Sequence, residues 1–385
     1  MREPLVVHGP ASLDYDFGHD HPLTPRRFGP GIDMLRALGA TDFVGPREAT
    51  DGELRRVHEA AYVSLVRMLS DYPEAAHHTG GFEGPDTPPF YGMHDAAAAV
   101  AGGSLDAMDR ILAGGVTHAF HPGGGHHHAM RAAASGFCIY NDTALAIARA
   151  RDAGHRVLYV DLDVHHGDGV EAIFWDDPHV LTISIHESGL HLFPGTGFVE
   201  DRGGRDAPGT AVNIPLDPAT SDPSWLAVVE SVVPPLAEAF APTVLVTQNG
   251  CDSHLFDPLA HLGVTTTAMS RASRLLDGIA HRHASGRWLA TGGGGYDIHR
   301  VVPRAWGLVW LAQAHREVPA ETPEAWRARW ADEAARRGLS PLPATMLDPA
   351  SLVRPEPAGV AERNRATAAA ALGHSLEVLA ERRGR

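Results

Sequence analysis

The chain of 385 residues carries 47 acidic residues, 32 basic residues that are all arginine, and 25 histidines, so its formal net charge is −15 with histidine neutral. A composition of 44% hydrophobic and 21% charged residues allows a substantial core and excludes global disorder. The acidic balance argues against a nucleic-acid partner, because such binding relies on basic side chains at phosphates, and the lack of an 18-residue apolar run argues against a membrane partner.

Short β-branched runs that end at Gly, Asp or Asn alternate with helical stretches. The predicted strands are residues 5–8, 156–163, 180–186, 211–216, 243–249 and 287–291. The predicted helices are residues 95–112, 142–153, 224–240, 266–283 and 303–315. Several strands are almost wholly apolar, which is typical of a parallel sheet covered on both faces. The alternation therefore predicts a doubly wound α/β fold, in which ligands bind at the carboxyl ends of the strands.

Other stretches differ in composition from this alternating region. Residues 71–93 are rich in Gly, Pro and His and predict a long surface loop, of a kind that is often functional. Residues 316–385 are rich in Ala, Arg and Glu and predict a C-terminal helical extension, either packed on the main domain of residues 1–315 or partly mobile, with helices at 322–337 and 358–383.

Two compositional features bear on the compartment and the surface. The two cysteines, Cys138 and Cys251, cannot form a disulfide framework, and the N-terminus lacks the apolar run of a signal peptide. A cytoplasmic location is therefore expected. Most of the 25 histidines are expected to lie on the surface.

The strand predicted at 156–163 carries polar side chains on one face. Side chains alternate along a strand, so Asp161, Asp163 and His165 point the same way. Such groups are costly to bury without partners, and a metal satisfies them, since Asp oxygen and His nitrogen are normal zinc ligands. Glycines that follow permit a tight turn, which brings Asp168 near. A buried Asp–His hydrogen-bond network is the alternative.

Two further residues follow apolar strands. Asp252 lies where open α/β sheets place ligands, so it can complete an Asp₂His set with Asp163 and His165, although a turn-forming Asp is the alternative. Tyr296 follows the glycine run 292–295, and its hydroxyl can donate to an oxyanion. A packed loop aromatic is the alternative for Tyr296.

A pair of histidines, His127 and His128, follows the glycine run 123–125 and precedes an apolar stretch. Imidazoles have a pKa near 7 and make good general bases beside a metal-bound water. Each needs a carboxylate on its second ring nitrogen, and Asp161 and Asp168 are available. Successive histidines on the surface are the alternative.

Together these segments resemble the zinc-dependent histone deacetylase family, in its bacterial acetoin-utilisation (AcuC-like) branch. The matching segments are YDFGHDHPLTPRR (15–27), GGGHHHA (123–129), SGFCIYND (135–142), DLDVHHGDG (161–169), SIHESGLHLFPGTG (184–197), QNGCDSHLFDPL (248–259) and GGGGYDIHRVVPRAW (292–306). The resemblance implies an arginase/deacetylase-like three-layer α/β fold with a central, mostly parallel eight-stranded sheet. It makes residues 1–315 the deacetylase catalytic domain.

The resemblance also implies a metal and a catalytic set. It implies Zn²⁺ on Asp163, His165 and Asp252, and because an Asp₂His set is harder than a thiolate site, Fe²⁺ and Co²⁺ are alternatives. It implies catalytic roles for His127, His128, Asp161, Asp168 and Tyr296, in which Asp161 backs His127, Asp168 backs His128 and the tyrosine polarises the acetyl carbonyl.

Substrate and cation sites follow from the same resemblance. The acetyl-lysine tunnel is implied to be lined by Gly136, Phe137, Phe193 and Gly294, with a rim carboxylate at Asp86. A structural K⁺ is implied on Asp161, Asp163, His165, Ser184 and Ile185. One departure is His126, where the family usually has Leu, and it is expected to alter the packing or the tunnel wall.

The implied reaction is hydrolysis of Nε-acetyl-lysine in acetylated proteins by a metal-activated water, with release of acetate. An acetylpolyamine or another acetylated small amine is the alternative substrate, because a net charge of −15 suits a cation. A ureohydrolase such as arginase shares the fold but needs second-metal carboxylates, which Gly167 and His254 replace here. A scaffold without activity is disfavoured, since the full catalytic set is retained.

Overall fold

The computed structural model describes residues 3–76 and 80–383, and its centre is one eight-stranded sheet. The strands in chain order are β1 Leu5–Val7, β2 Phe43–Val44, β3 His118–His121, β4 Val157–Asp161, β5 Val180–Glu187, β6 Ala211–Leu216, β7 Val244–Gln248 and β8 Trp288–Thr291. Their order in the sheet is β2-β1-β3-β8-β7-β4-β5-β6, and every pairing is parallel. The predicted eight-stranded sheet is confirmed, and among the described strands it is parallel throughout.

Helices cover both faces of this sheet. In chain order they are α1 Phe28–Ala37, α2 Asp51–Leu54, α3 Ala60–Asp71, α4 Met93–Leu112, α5 Asp142–Asp152, α6 Asp168–Phe174, α7 Asp222–Phe240, α8 Thr266–His283, α9 Val302–Gln313, α10 Glu324–Arg336 and α11 Val360–Arg383. Each predicted strand and helix overlaps an observed one. The pattern does not predict the short strands β2 and β3, the helix α1, whose first turn contains Gly and Pro, or the helices α2, α3 and α6.

The alternation of side chains along β4 divides the interior into two cores. Leu158 and Val160 belong to a core formed with α1, α7, α8 and α9, whereas Val157 and Tyr159 belong to a core formed with α3, α4 and α5. All five β4 side chains are buried, which explains why the first four residues of the strand are apolar instead of alternating between apolar and polar. This arrangement makes the three layers of the fold.

The expectation that most histidines lie on the surface is wrong. Twelve are buried among the described residues: His58, His94, His118, His121, His126, His127, His128, His165, His166, His186, His254 and His299. Only part of this set belongs to the motifs of the resemblance. The buried histidines outside those motifs, His58, His94, His118 and His121, have tertiary hydrogen-bond partners, which composition alone does not reveal.

The C-terminal residues pack on the same core as the rest of the chain. The Trp326 indole donates to the Pro30 carbonyl at 2.8 Å. The Asn364 amide donates to the hydroxyls of Thr220 at 2.7 Å and Ser224 at 2.9 Å, where α11 lies against α7 and β6. Composition changes near residue 315, while the packing continues beyond it.

Two remaining compositional expectations concern cysteine and the membrane. Both cysteines are buried and unpaired. Within residues 3–76 and 80–383, no helix has the length and apolar character needed to cross a bilayer.

Candidate active site

The candidate site forms where three adjacent strands end. β4, β7 and β8 lie side by side, and their last residues, Asp161, Gln248 and Thr291, are register partners. The loops that follow parallel strands meet at the same sheet edge, so segments far apart in the chain converge there. These loops carry Asp163, His165, Asp252 and Tyr296.

The predicted metal ligands lie together in the interior. The Nδ1 atom of His165 is 3.0 Å from Oδ1 of Asp163 and 3.1 Å from Oδ2 of Asp252, and all three residues are buried. Tetrahedral zinc with bonds of roughly 2.0–2.1 Å would hold ligand atoms about 3.3 Å apart. The donor types and spacing therefore fit zinc, and they also suit Fe²⁺ or Co²⁺.

The other carboxylate oxygens of this set are held by neighbours. Oδ2 of Asp163 accepts hydrogen bonds from the Gln248 amide at 2.7 Å and the Gly294 N–H at 2.8 Å. Oδ1 of Asp252 accepts the Val164 N–H at 3.0 Å. Burial and the adjacent Asp163 carboxylate raise the pKa of Asp252 to about 6. A bound cation would relieve this repulsion.

The paired histidines are each backed by a carboxylate. Nδ1 of His127 lies 2.7 Å from Oδ2 of Asp161, and Nδ1 of His128 lies 2.6 Å from Oδ1 of Asp168. Their Nε2 atoms are 3.0 Å apart. The same oxygen of Asp161 accepts the Tyr159 hydroxyl at 2.6 Å, a contact that the sequence does not predict.

The two imidazoles have opposite electrostatics. Burial would lower the pKa of His127, but the carboxylates of Asp161 and Asp163 outweigh it and raise the pKa to about 9. Burial and the charge of His127 lower the pKa of His128 to about 4. At neutral pH the pair therefore holds one cation and one neutral base.

The histidine loop is held by Asp142, to which the sequence assigns no role. This buried carboxylate begins α5 and accepts the N–H groups of Gly125 at 3.1 Å and His126 at 2.8 Å. It also accepts the Ser104 hydroxyl at 2.5 Å. Its one sequence signal is its place at the end of the SGFCIYND segment.

A narrow pocket that opens to solvent leads to these residues. Phe137 lies edge-on to Tyr296, with ring centres 6.0 Å apart, and both border the pocket. Phe193, which is 44% exposed, packs against His128 at 5.1 Å. Gly136 has φ +52°, and a Cβ there would lie 2.3 Å from the His128 ring, so a glycine is required at this wall.

The predicted rim residue Asp86 is exposed and touches the tunnel wall. Its carboxylate accepts the Gly136 N–H at 3.0 Å. The next residue, Thr87, accepts the Phe137 N–H at 3.0 Å. Asp86 and Thr87 therefore bring part of the predicted 71–93 loop, of which residues 77–79 lie outside the described part of the chain, to the pocket mouth.

The residues of the predicted potassium site lie on adjacent strands. The β4–β5 register pairs Asp161 with Ser184, and Ile185 follows in β5. Asp163 and His165 come directly after β4. Potassium binding here stays a prediction.

Arg27 is a further site residue that the sequence does not predict. Its buried guanidinium donates to the Gly293 carbonyl at 2.7 Å, beside the loop that carries Tyr296. Burial lowers its pKa. Arg27 and Gln248 each lie within a segment that resembles the family. That position is the one sequence signal that could have identified them as site residues.

The second-metal pattern of ureohydrolases is absent at the expected positions. His254 bonds to Asp348 at 2.8 Å rather than joining the metal-ligand set. Gly167 provides no side chain, and a Cβ there would lie 2.2 Å from Oδ2 of Asp161. This local geometry favours a single ion.

Comparison with known proteins agrees with the geometry. The Histone deacetylase domain family matches residues 21–313. The chain is 40% identical over 380 residues to the acetoin utilization protein AcuC of Bacillus subtilis (strain 168), covering 97% of both chains. It is 37% identical over 331 residues to AcuC of Staphylococcus xylosus, covering 84% of this chain and 86% of that one.

A solved structure, described as an HDAC homolog complexed with SAHA, superposes with a TM-score of 0.82 at 28% identity. The match covers 96% of this chain and all of the other. Similarity of this extent spans the sheet, its helices and every loop of the candidate site. The chain belongs to the histone deacetylase family and is a deacetylase.

Proposed function

We propose that this deacetylase removes acetyl groups from Nε-acetyl-lysine in proteins and that it uses Zn²⁺. The observation that carries the proposal is the convergence of two carboxylate-backed histidines and an Asp₂His ligand set at one pocket. A bound zinc ion supplies a Lewis acid that polarises the acetyl oxygen and acidifies water. The ligands would be Asp163, His165 and Asp252.

We assign the proton transfers of the reaction to the pair His127 and His128. His128 is neutral at pH 7, since its pKa is lowered to about 4 by burial and by the charge of His127. We assign to His128 the uptake of the proton from the attacking water and its delivery to the leaving amine, with Asp168 orienting the ring. We assign to His127, whose Nδ1 is held by Asp161 at 2.7 Å, the orientation of the attacking water beside His128.

Tyr296 is the remaining residue of the proposed catalytic set. Its backbone N–H donates to Asp257 at 2.9 Å, which anchors the residue at the pocket. We assign to its hydroxyl the hydrogen bond to the oxyanion formed when water adds to the acetyl carbon. Burial raises the pKa of this hydroxyl, so it keeps its proton at neutral pH.

The pocket walls favour an uncharged alkyl chain. Phe137 and Phe193 suit the methylenes of acetyl-lysine and disfavour a charged amine, so product release follows deacetylation. Asp86, exposed at the rim, is assigned to the amides of the substrate backbone. We propose neither a nucleic-acid partner nor a membrane partner for this pocket. A cytoplasmic location agrees with the unpaired cysteines.

An acetylpolyamine is the alternative substrate, supported by the exposed carboxylate of Asp86 and the net charge of −15. Comparison of kcat/KM for acetyl-lysine peptides and acetylpolyamines, with added Zn²⁺, Fe²⁺ or Co²⁺, decides between them. We expect peptide preference and highest activity with Zn²⁺. A large polyamine preference would overturn the substrate assignment, and no acetate release from any acetyl amide would overturn the assigned chemistry.

Point variants test the residue roles. Tyr296→Phe and His128→Ala are each expected to lower kcat by about 10²–10³, a typical loss for one transition-state group. Exposed Tyr72→Phe and His179→Ala serve as matched controls and should retain activity. Wild-type rates in either site variant would contradict the assigned roles.

A further inference from the structure

A second cluster of metal-ligating side chains lies away from the deacetylase pocket. It consists of His118, Asp277, His281 and His315. His118 begins β3, Asp277 and His281 lie one turn apart on α8, and His315 follows the end of α9. The amino end of β3 is at the sheet edge opposite the carboxyl ends that form the active site.

The four side chains converge on one point. Oδ1 of Asp277 lies 3.2 Å from Nε2 of His118, 3.2 Å from Nε2 of His315 and 3.4 Å from Nε2 of His281. The Nε2 atoms of His281 and His315 are 2.9 Å apart. Tetrahedral zinc with bonds of roughly 2.0–2.1 Å would separate its ligand atoms by about 3.3 Å. These four distances, 2.9–3.4 Å, are close to that value, and all four ligand atoms lie within 4.8 Å of one another.

Hydrogen bonds account for part of this arrangement. The Nε2 atoms of His281 and His315 cannot both carry a proton at 2.9 Å, because the two N–H groups would point at each other. At least one imidazole therefore presents a lone pair toward the cluster. That lone pair can accept the N–H of the other imidazole, but it also lies 3.2–3.4 Å from Oδ1 of Asp277, where a bound cation would be attracted by both.

His118 is oriented as metal-bound histidines are. It is 3% exposed, and its Nδ1 lies 3.0 Å from the Thr117 hydroxyl oxygen. Donation from Nδ1 to Thr117 leaves the Nε2 lone pair aimed into the cluster, and a partner on the second nitrogen is typical of ligating histidines. The Trp288 ring lies edge-on to His118 at 5.8 Å and limits its rotation.

The other two histidines make the cluster accessible. The side chain of His281 is 39% exposed and that of His315 is 27% exposed, so an ion can enter from solvent. His315 has φ +52°, a left-handed conformation that is uncommon for a residue other than glycine. That conformation turns the chain after α9 and brings this imidazole over α8.

We propose that His118, Asp277, His281 and His315 form a second zinc site with a structural role. Three imidazole nitrogens and one carboxylate oxygen give four protein ligands, a closed coordination shell with no position left for substrate. The ion would join β3, α8 and the end of α9. The proposal is independent of the assigned deacetylase substrate.

Zinc stoichiometry of the purified full-length chain tests the site. Titration with Zn²⁺ against a chromogenic chelator should show two equivalents bound per wild-type chain. The double variant His281→Ala/His315→Ala should bind one equivalent and retain deacetylase activity on an acetyl-lysine peptide. His283→Ala, which removes a neighbouring imidazole from the same helix end, should still bind two.

Thermal unfolding gives a second readout. Raising free Zn²⁺ should increase Tm more in wild type than in the double variant, because only wild type has the second site. The single variant His281→Gln keeps most of the local packing and should weaken the second equivalent at least about tenfold. Equal zinc stoichiometry in wild type and the double variant would overturn the proposal and leave a metal-free hydrogen-bonded cluster, whereas one equivalent in wild type and none in the double variant would keep this site and remove zinc from the active site.

Discussion

At the scale of single residues, Gln248 links the metal-ligand set to the glycine loops. Its amide donates to Asp163 at 2.7 Å and to the Gly125 carbonyl at 3.3 Å, and its carbonyl accepts the Gly250 N–H at 2.7 Å. A neutral amide in this place orients a ligand without adding charge. It is therefore a positioning residue rather than a ligand.

The substitution Gln248→Ala is expected to weaken metal binding at the active site by about 10–100-fold, as loss of a partner behind a ligand typically does. The reason is that Oδ2 of Asp163 loses one of its two hydrogen bonds. Chelator competition measures the change. Gln313→Ala, which removes another buried glutamine bonded to the Ala119 carbonyl, is the control, and equal weakening there would contradict the prediction.

His126 shows what the departure from the usual Leu does. The ring is buried and tilted over Tyr15 with centres 4.7 Å apart, and its Nδ1 lacks a hydrogen-bond partner among the described residues. Burial, reinforced by the charge of Arg27, lowers its pKa to about 3, so it is neutral at pH 7. It borders the active-site pocket and an adjoining cavity that also contacts Arg27 and Leu23.

The variant His126→Leu is expected to stabilise the fold by about 1–3 kcal/mol, because it removes a buried polar atom without a partner at similar side-chain volume. Urea denaturation measures the free energy of unfolding. His19→Leu, at an exposed position, should change it by no more than about 0.5 kcal/mol. A destabilised His126→Leu protein would show that the imidazole has a partner or a packing role that the leucine lacks.

At the scale of elements, a buried ion pair ties the C-terminal region to the helices around the site. The Asp348 carboxylate accepts hydrogen bonds from Nη1 of Arg304 at 2.7 Å, from Nε2 of His254 at 2.8 Å and from the Thr266 N–H at 3.0 Å. Arg304 lies on α9, and Thr266 begins α8. Burial raises the pKa of the Asp348 carboxyl, but these partners outweigh it and hold the pKa well below its usual range.

The substitution Asp348→Ala is expected to destabilise the protein by about 3–5 kcal/mol, because it leaves the buried Arg304 charge unpaired. Chemical denaturation measures the loss. Asp332→Ala, at an exposed position of α10, should change stability by at most about 0.5 kcal/mol. If Asp348→Ala also changed the free energy of unfolding by at most about 0.5 kcal/mol, the C-terminal region would contribute little to the fold.

At the scale of the whole molecule, the excess of histidine makes stability depend on pH. His58 illustrates the cause: its Nδ1 lies 2.9 Å from the Met130 carbonyl, and its Nε2 accepts the Asn141 N–H at 3.0 Å. Burial lowers its pKa to about 4, and the same direction holds for His8 and His121. The unfolded chain, with histidine pKa near 6.5, binds these protons first.

Stability contributed by such a neutral histidine is therefore present above about pH 6.5 and is lost as pH falls toward 4. Removing the group with His58→Gln should reduce the slope of unfolding free energy against pH by up to about 1.4 kcal/mol per pH unit in this window. Denaturation at several pH values measures the slope. An unchanged slope would show that His58 is protonated equally in both states.

Much of the site is determined by local sequence. The alternation in the 156–163 strand and the residues just after it place Asp161, Asp163 and His165 on one face, and apolar runs predict the parallel sheet. Resemblance of whole segments then adds the family. The strand alternation and the segment motifs can be recognised from sequence because the residues that form each of them are neighbours in the chain.

Other features depend on which strands lie side by side. The order β3-β8-β7-β4 brings Gln248 and Tyr296 to the carboxylates that follow β4, and it brings His118 to α8 and α9 at the opposite edge. Partners such as Arg304 and Asp348 likewise come from separate elements. Periodicity reports which side of an element is buried but not which element covers it. The sequence by itself therefore determined the fold class and the active-site motifs, while only the tertiary structure decided the partners that hold them and the second histidine cluster.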